Sequence, residues 1–356
     1  MSTKIISLPR LSLSLLAPFA LALSALTGAA EEKAPASPQA RPAAKPAPKT
    51  VKLGYFANLT HAQAVLGVQS GVYGKALAPS KLETKVFNAG PSLIEALNAG
   101  EIDVAYVGPG PAINGWVKSK GRSLNIISGS AANGVVIVVS EKSGITKLED
   151  LKGKRIATPQ LGNTQDIAAR WYVKNVLKQE DADNIVPIPN AEQLGLLQRG
   201  QIDAAWSPEP WATRLVKEAG AKVLTQEKDL WPNKEFSLTL VVTTQEFLRD
   251  HHDLLKSLLV EHAKLTTELQ QHPQEHAAEL AEGISKLTGK KVGADLIGDA
   301  LKNVKFTVDP LAETLETQAK YAYDLGAFRE PAKLKGLVDT SLLPQGAAAP
   351  AVPAKP

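Results

Sequence analysis

Leu97-Asn98-Ala99-Gly100-Glu101-Ile102-Asp103-Val104-Ala105-Tyr106 is answered one hundred residues later by Leu197-Gln198-Arg199-Gly200-Gln201-Ile202-Asp203-Ala204-Ala205-Trp206. Each stretch reads as a helix end, a glycine suited to a left-handed C-cap, an Ile-Asp pair and a short buried strand. Each strand then runs into a proline-rich loop, Gly108-Pro109-Gly110-Pro111 in the first copy and Ser207-Pro208-Glu209-Pro210 in the second. The interval exceeds the solenoid periods of about 20 to 50 residues. It fits two similar α/β lobes.

The surroundings agree. Residues 51–55 read as a strand, 56–60 as a loop and 61–73 as an amphipathic helical stretch. A second strand is expected over 85–87, a helix over 93–98 and a third strand over 103–107. Such alternation predicts parallel βαβ units. A β-prone run follows each copy, Val135-Val136-Ile137-Val138-Val139 and Phe236-Ser237-Leu238-Thr239-Leu240-Val241-Val242. If these runs pass between lobes, residues 135–139 and 238–242 form a two-strand hinge. Lobe 1 is then 51–138 plus 238–343, and lobe 2 is 139–237. Two core strands of one large sheet would show the same periodicity.

Outside this body the composition changes. Lys4, Arg10, an apolar run over 11–26 and Thr27-Gly28-Ala29-Ala30 predict an export signal over residues 1–30. Pro18 and the small-residue flank favour it over a membrane anchor. Residues 31–50, rich in Ala, Pro and Lys, read as a linker, and 344–356 as a disordered tail. The chain contains no cysteine, so disulfides and a lipid anchor on a processed cysteine are excluded. Loss of Lys4 and Arg10 with the signal lowers the formal charge from +4 to +2. That balance gives no electrostatic footprint for nucleic acid. The mature product is expected to be soluble, periplasmic and monomeric.

Two loops offer binding chemistry. Gln160-Leu161-Gly162-Asn163-Thr164-Gln165-Asp166 follows a predicted strand and precedes a helical stretch over 167–177. Asn163 or Thr164 suits an N-cap, and Gly162 lets the backbone approach whatever lies above. A helix start presents unpaired N–H groups and a positive dipole end, which favours an anion. The same residues also simply cap their own helix. Phe56-Ala57-Asn58-Leu59-Thr60-His61 lies at a similar junction. Ligands of open α/β sheets bind where such loops converge. His61, near a helix start, could contact ligand but reads rather as a surface residue, and Asp103 and Asp203 read as turn residues.

Enzyme readings fare poorly. There is no Gly-x-Ser-x-Gly elbow, no cysteine nucleophile and no Walker loop. His272-Pro273-Gln274-Glu275-His276 is not a zinc arrangement, so no metal or cofactor is expected. Glu209 has no partner acid, base or metal and reads as a ligand contact or a stiff loop rather than a catalytic group.

Taken together, Leu151 to Asp166, Ile202 to Trp211 and Asp229-Leu230-Trp231-Pro232 resemble the periplasmic substrate-binding proteins of ABC importers for aliphatic sulfonates, taurine and nitrate. The resemblance covers about residues 51–343. It implies a two-lobed type II periplasmic-binding fold closing on a small organic anion, with delivery to a membrane permease that has a separate ATPase. Carried over, the contacts are Asn58 and Thr60 from the first loop and Gly108 with Pro109 after the first repeat. Gly162, Asn163, Thr164 and Gln165 hold the acidic head, and Glu209 and Trp211 stand at the cleft edge. There Glu209 would meet the ligand's far end and repel a bare inorganic anion, which disfavours nitrate. An aliphatic sulfonate is the expected ligand. Thiamine precursors and other heterocycles are bound by relatives, and an exported enzyme on the same fold is the competing class.

Overall fold

The computed structural model describes residues 46–346. The export signal, most of the linker and the last ten residues of the tail lie outside them. Lobe 1 opens with β1 (Thr50–Phe56), a 3-10 turn at Leu59–His61, α1 (Ala62–Gln69), α2 (Val72–Ala76) and β2 (Lys81–Phe87). It continues through α3 (Gly90–Asn98), β3 (Val104–Val107), α4 (Pro109–Lys118) and β4 (Leu124–Asn133). The helical stretch expected over 61–73 is thus two helices, broken where Gly71 takes a φ of +76°.

Lobe 2 follows as β5 (Val135–Val139), β6 (Ile156–Thr158), α5 (Thr164–Trp171), β7 (Ile185–Pro187), α6 (Asn190–Gln198), β8 (Ala204–Pro208), α7 (Trp211–Ala219) and β9 (Lys222–Gln226). The chain then returns through β10 (Ser237–Thr244). After it come α8 (Gln245–Asp250), α9 (His252–Gln271), α10 (Ala277–Thr288), α11 (Ala294–Leu301), β11 (Val304–Phe306) and α12 (Ala312–Asp324).

The two sheets are ordered β11-β4-β10-β3-β1-β2 and β9-β5-β8-β6-β7. Read from β2 and from β7, the five strands of the second sheet match the first five of the first, and β11 is the extra edge strand. In each, the second strand so read, β1 or β6, pairs in parallel with its two neighbours. An antiparallel strand then joins each sheet, β10 beside β3 and β5 beside β8. This is the two-lobed α/β periplasmic-binding fold.

Both copies of the repeat are built alike. Gly100 and Gly200 take φ of +72° and +66°, where a side chain would be strained. Asp103 Oδ2 accepts the Lys52 N–H and Asp203 Oδ2 accepts the Arg155 N–H, both at 2.8 Å. The aspartate N–H groups return the bond to the same residues' carbonyls. Each pair therefore staples a helix exit to the strand beside it.

The crossing between lobes needs correction. β5 pairs only within the second sheet and β10 only within the first, so neither run spans the gap. The chain crosses at Asn133-Gly134 and again just before Phe236, which places 135–138 with lobe 2. Asn133 N–H donates to the Phe236 carbonyl, and Phe236 N–H to Asn133 Oδ1. Gly134 has a φ of +77°, and a Cβ there would lie 2.9 Å from Val304 Cγ2. Two tied, tight segments make a narrow hinge.

Apolar side chains cover both faces of each sheet, and the inner strands β3, β5 and β8 are buried from end to end while the edge strands β2 and β9 stand partly in solvent. Lobe 1 also buries a polar chain in which the Tyr73 and Tyr106 hydroxyls meet at 2.7 Å and Tyr106 reaches His262 Nδ1 at 2.8 Å. Its other nitrogen, Nε2, lies 2.8 Å from the Gly129 carbonyl, and burial holds the imidazole down at about 4.

Candidate functional site

The six parallel strands end at the seam between the lobes. A cavity there is lined from the carboxyl end of every one: Phe56 at the end of β1 and Asn58 after it, Asn88 after β2, Gly108 after β3, Asn163 after β6, Asn190 after β7 and Pro208 on β8. Thr60, His61, Thr164, Gln165, Leu238 and Thr239 complete the lining. The cavity volume is about 20 Å³, room for roughly one water. The lobes are closed upon it.

Closure is hydrogen-bonded. Gly110, the second residue of α4, donates its N–H to Thr164 Oγ1 at 3.2 Å, and Gly90, the first of α3, donates to Asn163 Oδ1 at 3.4 Å. Acceptors at the start of α5 and on the residue before it thus meet the starts of two helices in the other lobe. Helical segments also begin at Leu59, Thr164 and Asn190, so several positive ends converge. Thr164 and Gln165 carry the first N–H groups of α5, which have no carbonyl within their helix.

No Asp, Glu, Lys or Arg lines the cavity. His61 is its one titratable group, and burial pulls the imidazole down to about 3. Its Nδ1 accepts the Phe56 N–H at 3.3 Å, so the neutral ring carries its proton on Nε2 and is a donor there. The site therefore offers donors and dipoles without a formal cation, suited to a small anion. Among the described residues no cluster of three or more His, Cys, Asp or Glu is placed to hold a metal.

The loop that carries Asn163 is held from behind. Buried Asp166 accepts from Thr158 Oγ1 and the Gly162 N–H, and Arg170 Nε lies 2.9 Å from it. Arg170 also reaches the Ala182 and Ile185 carbonyls, which turns its charge away from the cavity.

Six of the ten residues expected at the site line the cavity: Asn58, Thr60, Gly108, Asn163, Thr164 and Gln165. Pro109 starts α4 beside the lining without joining it. Gly162 lies outside it, and a Cβ there meets nothing within 4 Å, so its φ of +76° is what requires glycine, not close approach. Glu209 and Trp211 are also placed elsewhere. Glu209 is fully buried, its carboxylate accepting from Thr213 N–H and Oγ1 and from Asn303 Nδ2 at 2.7 Å. Burial pushes its carboxyl up to about 7 despite these donors. Trp211 Nε1 donates to Asn58 Oδ1 at 2.7 Å, which fixes a cavity residue from the opposite lobe. The repulsion expected between Glu209 and an inorganic anion has no carboxylate in the cavity to produce it.

His61, expected at the surface, is buried at the cavity. Asn88 and Asn190 were legible by the same signal as Asn58 and Asn163, an asparagine between a strand end and a helix. Thr239, inside a buried strand, offered none.

These features define a scaffold of two α/β lobes that meet at a donor-lined seam. The chain belongs to the NMT1-like family, matched over residues 44–285. It is similar to the taurine-binding periplasmic protein of Escherichia coli (strain K12), 27% identical over 180 residues that span 49% of this chain and 53% of that protein. A protein of Brucella abortus (strain 2308) is 26% identical over 50% of this chain and 54% of its own length. The chain thus spans about half the length of these curated relatives. Among solved structures, the alkanesulfonate-binding protein SsuA from Xanthomonas axonopodis pv. citri, bound to MOPS, superposes with a TM-score of 0.67 at 21% identity. That superposition covers 83% of this chain and 99% of SsuA. The periplasmic nitrate-binding protein NrtA from Synechocystis PCC 6803 reaches 0.70 at 18% identity, covering 84% of this chain and 88% of NrtA. At these identities the likeness establishes the fold. The relatives named are binding proteins, and among the described residues no helix is long and apolar enough to cross a membrane.

Proposed function

We propose that this chain is the exported, monomeric receptor of an ABC importer. It captures a small organic anion between its lobes and presents it to a membrane permease driven by a separate ATPase. One observation carries the reading: the carboxyl ends of all six parallel strands and several helix starts converge on one buried seam that no Asp, Glu, Lys or Arg lines. An aliphatic sulfonate would present three oxygens to polar groups from both lobes, and with a cavity of about 20 Å³ the lobes must part to admit it. Affinity near micromolar, about 8 kcal/mol, suits capture followed by release.

Nitrate is a second reading, favoured by the same absence of charge in the lining and by the NrtA superposition. Thermal shift separates the two when ethanesulfonate, taurine, nitrate, sulfate and a thiamine precursor are compared on residues 46–346. Ligand at 100 times its Kd adds about 2.7 kcal/mol to stability, which a melt resolves. Stabilisation by the sulfonates, lost in Asn163→Ala/Thr164→Ala, is the expected result. A response to nitrate alone would replace the ligand, and turnover of any of these compounds would replace the class.

A further inference from the structure

Outside the donor-lined cavity the lobes also meet on two opposite faces. On one, Lys217 of α7 lies 2.6 Å from Asp299 and 3.5 Å from Asp295 of α11. These side chains stand 35%, 43% and 81% in solvent, where an ion pair contributes little and salt screens it.

On the other face, four aromatic rings form a row. Phe236, bonded to Asn133 at the hinge, stacks on Trp231 with centroids 5.0 Å apart and planes at 12°. Trp231 lies 5.6 Å from Tyr321 of α12. Tyr321 in turn stacks on Trp171, the last residue of α5, at 3.8 Å and 17°. Trp171 Nε1 also donates to Asp324 Oδ2, about one turn along α12, at 2.8 Å. One tyrosine of lobe 1 thus stands between two tryptophans of lobe 2. None of the four rings lines the donor cavity.

Each half of this clasp is fixed to its own lobe. Trp231 Nε1 donates to buried Glu227 Oε1 at 3.2 Å. α12 is tied to the start of β10: Thr314 Oγ1 accepts the Ser237 N–H at 3.0 Å, and Gln318 Nε2 donates to the Ser237 carbonyl at 2.8 Å. Tyr321 therefore moves with lobe 1 and the tryptophans with lobe 2. Parting the lobes unstacks them and returns broad apolar faces to water, a cost that salt does not screen. Of the two faces, the aromatic one is the stronger.

α5 carries the effect inward. Thr164, its first residue, lines the cavity, and Trp171, its last, sits in the clasp. Eight helical residues make a rod of about 12 Å, so docking one end places the other. Beyond Trp171 the chain widens into a π turn over Tyr172–Val176, a form found mostly at functional positions.

We propose that Trp171 and Tyr321 hold the lobes closed from outside the cavity and so set how tightly the chain binds its anion. Both are positioning residues. The apparent Kd is the intrinsic value divided by the closed share, so tenfold less closed chain means about tenfold weaker binding. The effect on affinity rests on the proposed reading of the cleft; the hold on the lobes does not.

The test measures the distance between lobes in the full chain. With no native cysteine, spin labels go only to Glu83→Cys on β2 and Asp183→Cys just before β7, exposed positions at the sheet edges away from the hinge. Without added anion, one short distance is expected, and Trp171→Ala should move most of the population to a longer one. Trp171→Phe keeps the stack without the Asp324 bond and should restore the short distance, while Lys217→Ala and added sodium chloride should leave it in place. Calorimetry with ethanesulfonate should show binding about tenfold weaker in Trp171→Ala and about threefold weaker or less in Trp171→Phe. Melts check that every variant is folded. An unchanged distance in folded Trp171→Ala, or a longer distance with unchanged affinity, overturns the proposal. A longer distance with ethanesulfonate silent on the unmodified chain would break the anion reading and leave the clasp standing.

Discussion

The two copies of the repeat share glycine, aspartate and strand, and part company at the loop that follows. After β3 the chain enters α4 through Gly108 and Gly110, and the start of that helix faces the seam and meets Thr164 of the other lobe. After β8 it enters α7 through Glu209, whose carboxylate caps the helix by accepting from Thr213 and then reaches Asn303 across the seam. One helix start is left to an outside acceptor, and the other is stopped by a carboxylate from its own chain. The repeat supplies two equivalent helix starts in outline, and the side chain of Glu209 occupies one of them.

The comparison breaks most visibly at Glu209. Glu209→Ala should cost about 3 kcal/mol in urea unfolding, since it strands the buried donors of Thr213 and Asn303. A loss below about 1 kcal/mol would mean that the carboxylate is not the latch drawn here.

The pH dependence of the same carboxyl gives the next largest effect. Glu209 rises from its ordinary 4.5 to about 7 in the folded chain, which therefore holds the proton more tightly than the unfolded one. Its contribution is complete below 4.5 and is lost as pH climbs to about 7. The advantage of the unmodified chain over Glu209→Gln should therefore shrink by about 2 kcal/mol between pH 5 and pH 8. His61 and His262 run the other way: held at about 3 and about 4, they lose stability as pH falls below 6.5. They are common to both proteins, so urea melts at each pH isolate the glutamate.

On the open side the expected effect is on closure. A Cβ at Gly108 would lie 2.3 Å from Thr164 Oγ1 across the seam, while its φ of −72° suits any residue. Gly108→Ala should weaken binding of whichever anion stabilises the unmodified chain by about tenfold, about 1.4 kcal/mol. Calorimetry checks the affinity, and an unchanged value would show that the lobes close further apart than they stand here. The smallest effects belong to the shared part. Asp103→Asn and Asp203→Asn keep an acceptor at each staple, and each should cost about 1 kcal/mol or less in a melt. Unequal losses would show that the copies have diverged in the staple as well as in the loop.

Much of the fold was legible, and for definite reasons. Alternating strand and helix patterns gave the parallel units, and the repeat gave the lobes. β4 was not legible: Ser128, Gly129, Ser130 and Asn133 hide a buried ten-residue strand from any reading of periodicity. Its hydroxyls are instead satisfied within the core, Ser130 Oγ by Gln63 at 2.8 Å and Ser128 Oγ by the Gly129 carbonyl at 2.7 Å. The β-prone runs were visible, but their composition did not reveal that the crossing lies one step outside each. At the site, Asn58 and Asn163 could be read from a strand-to-helix junction. The burial of His61 could not, because it depends on which elements cover the junction.

The sequence by itself determined the duplicated α/β plan, the glycine turns and the strand-to-helix loops, because these rest on backbone conformation and on contacts between near neighbours. Only the tertiary structure decided which loop ends meet. A helix start binds an anion or a side chain according to what stands opposite it, and Thr164, Asn303 and Gln318 come to their partners from 54, 94 and 81 residues away. Glu209 carries the same carboxylate in the sequence as in the fold, and its surroundings turn it from a contact for ligand into the lock of a helix.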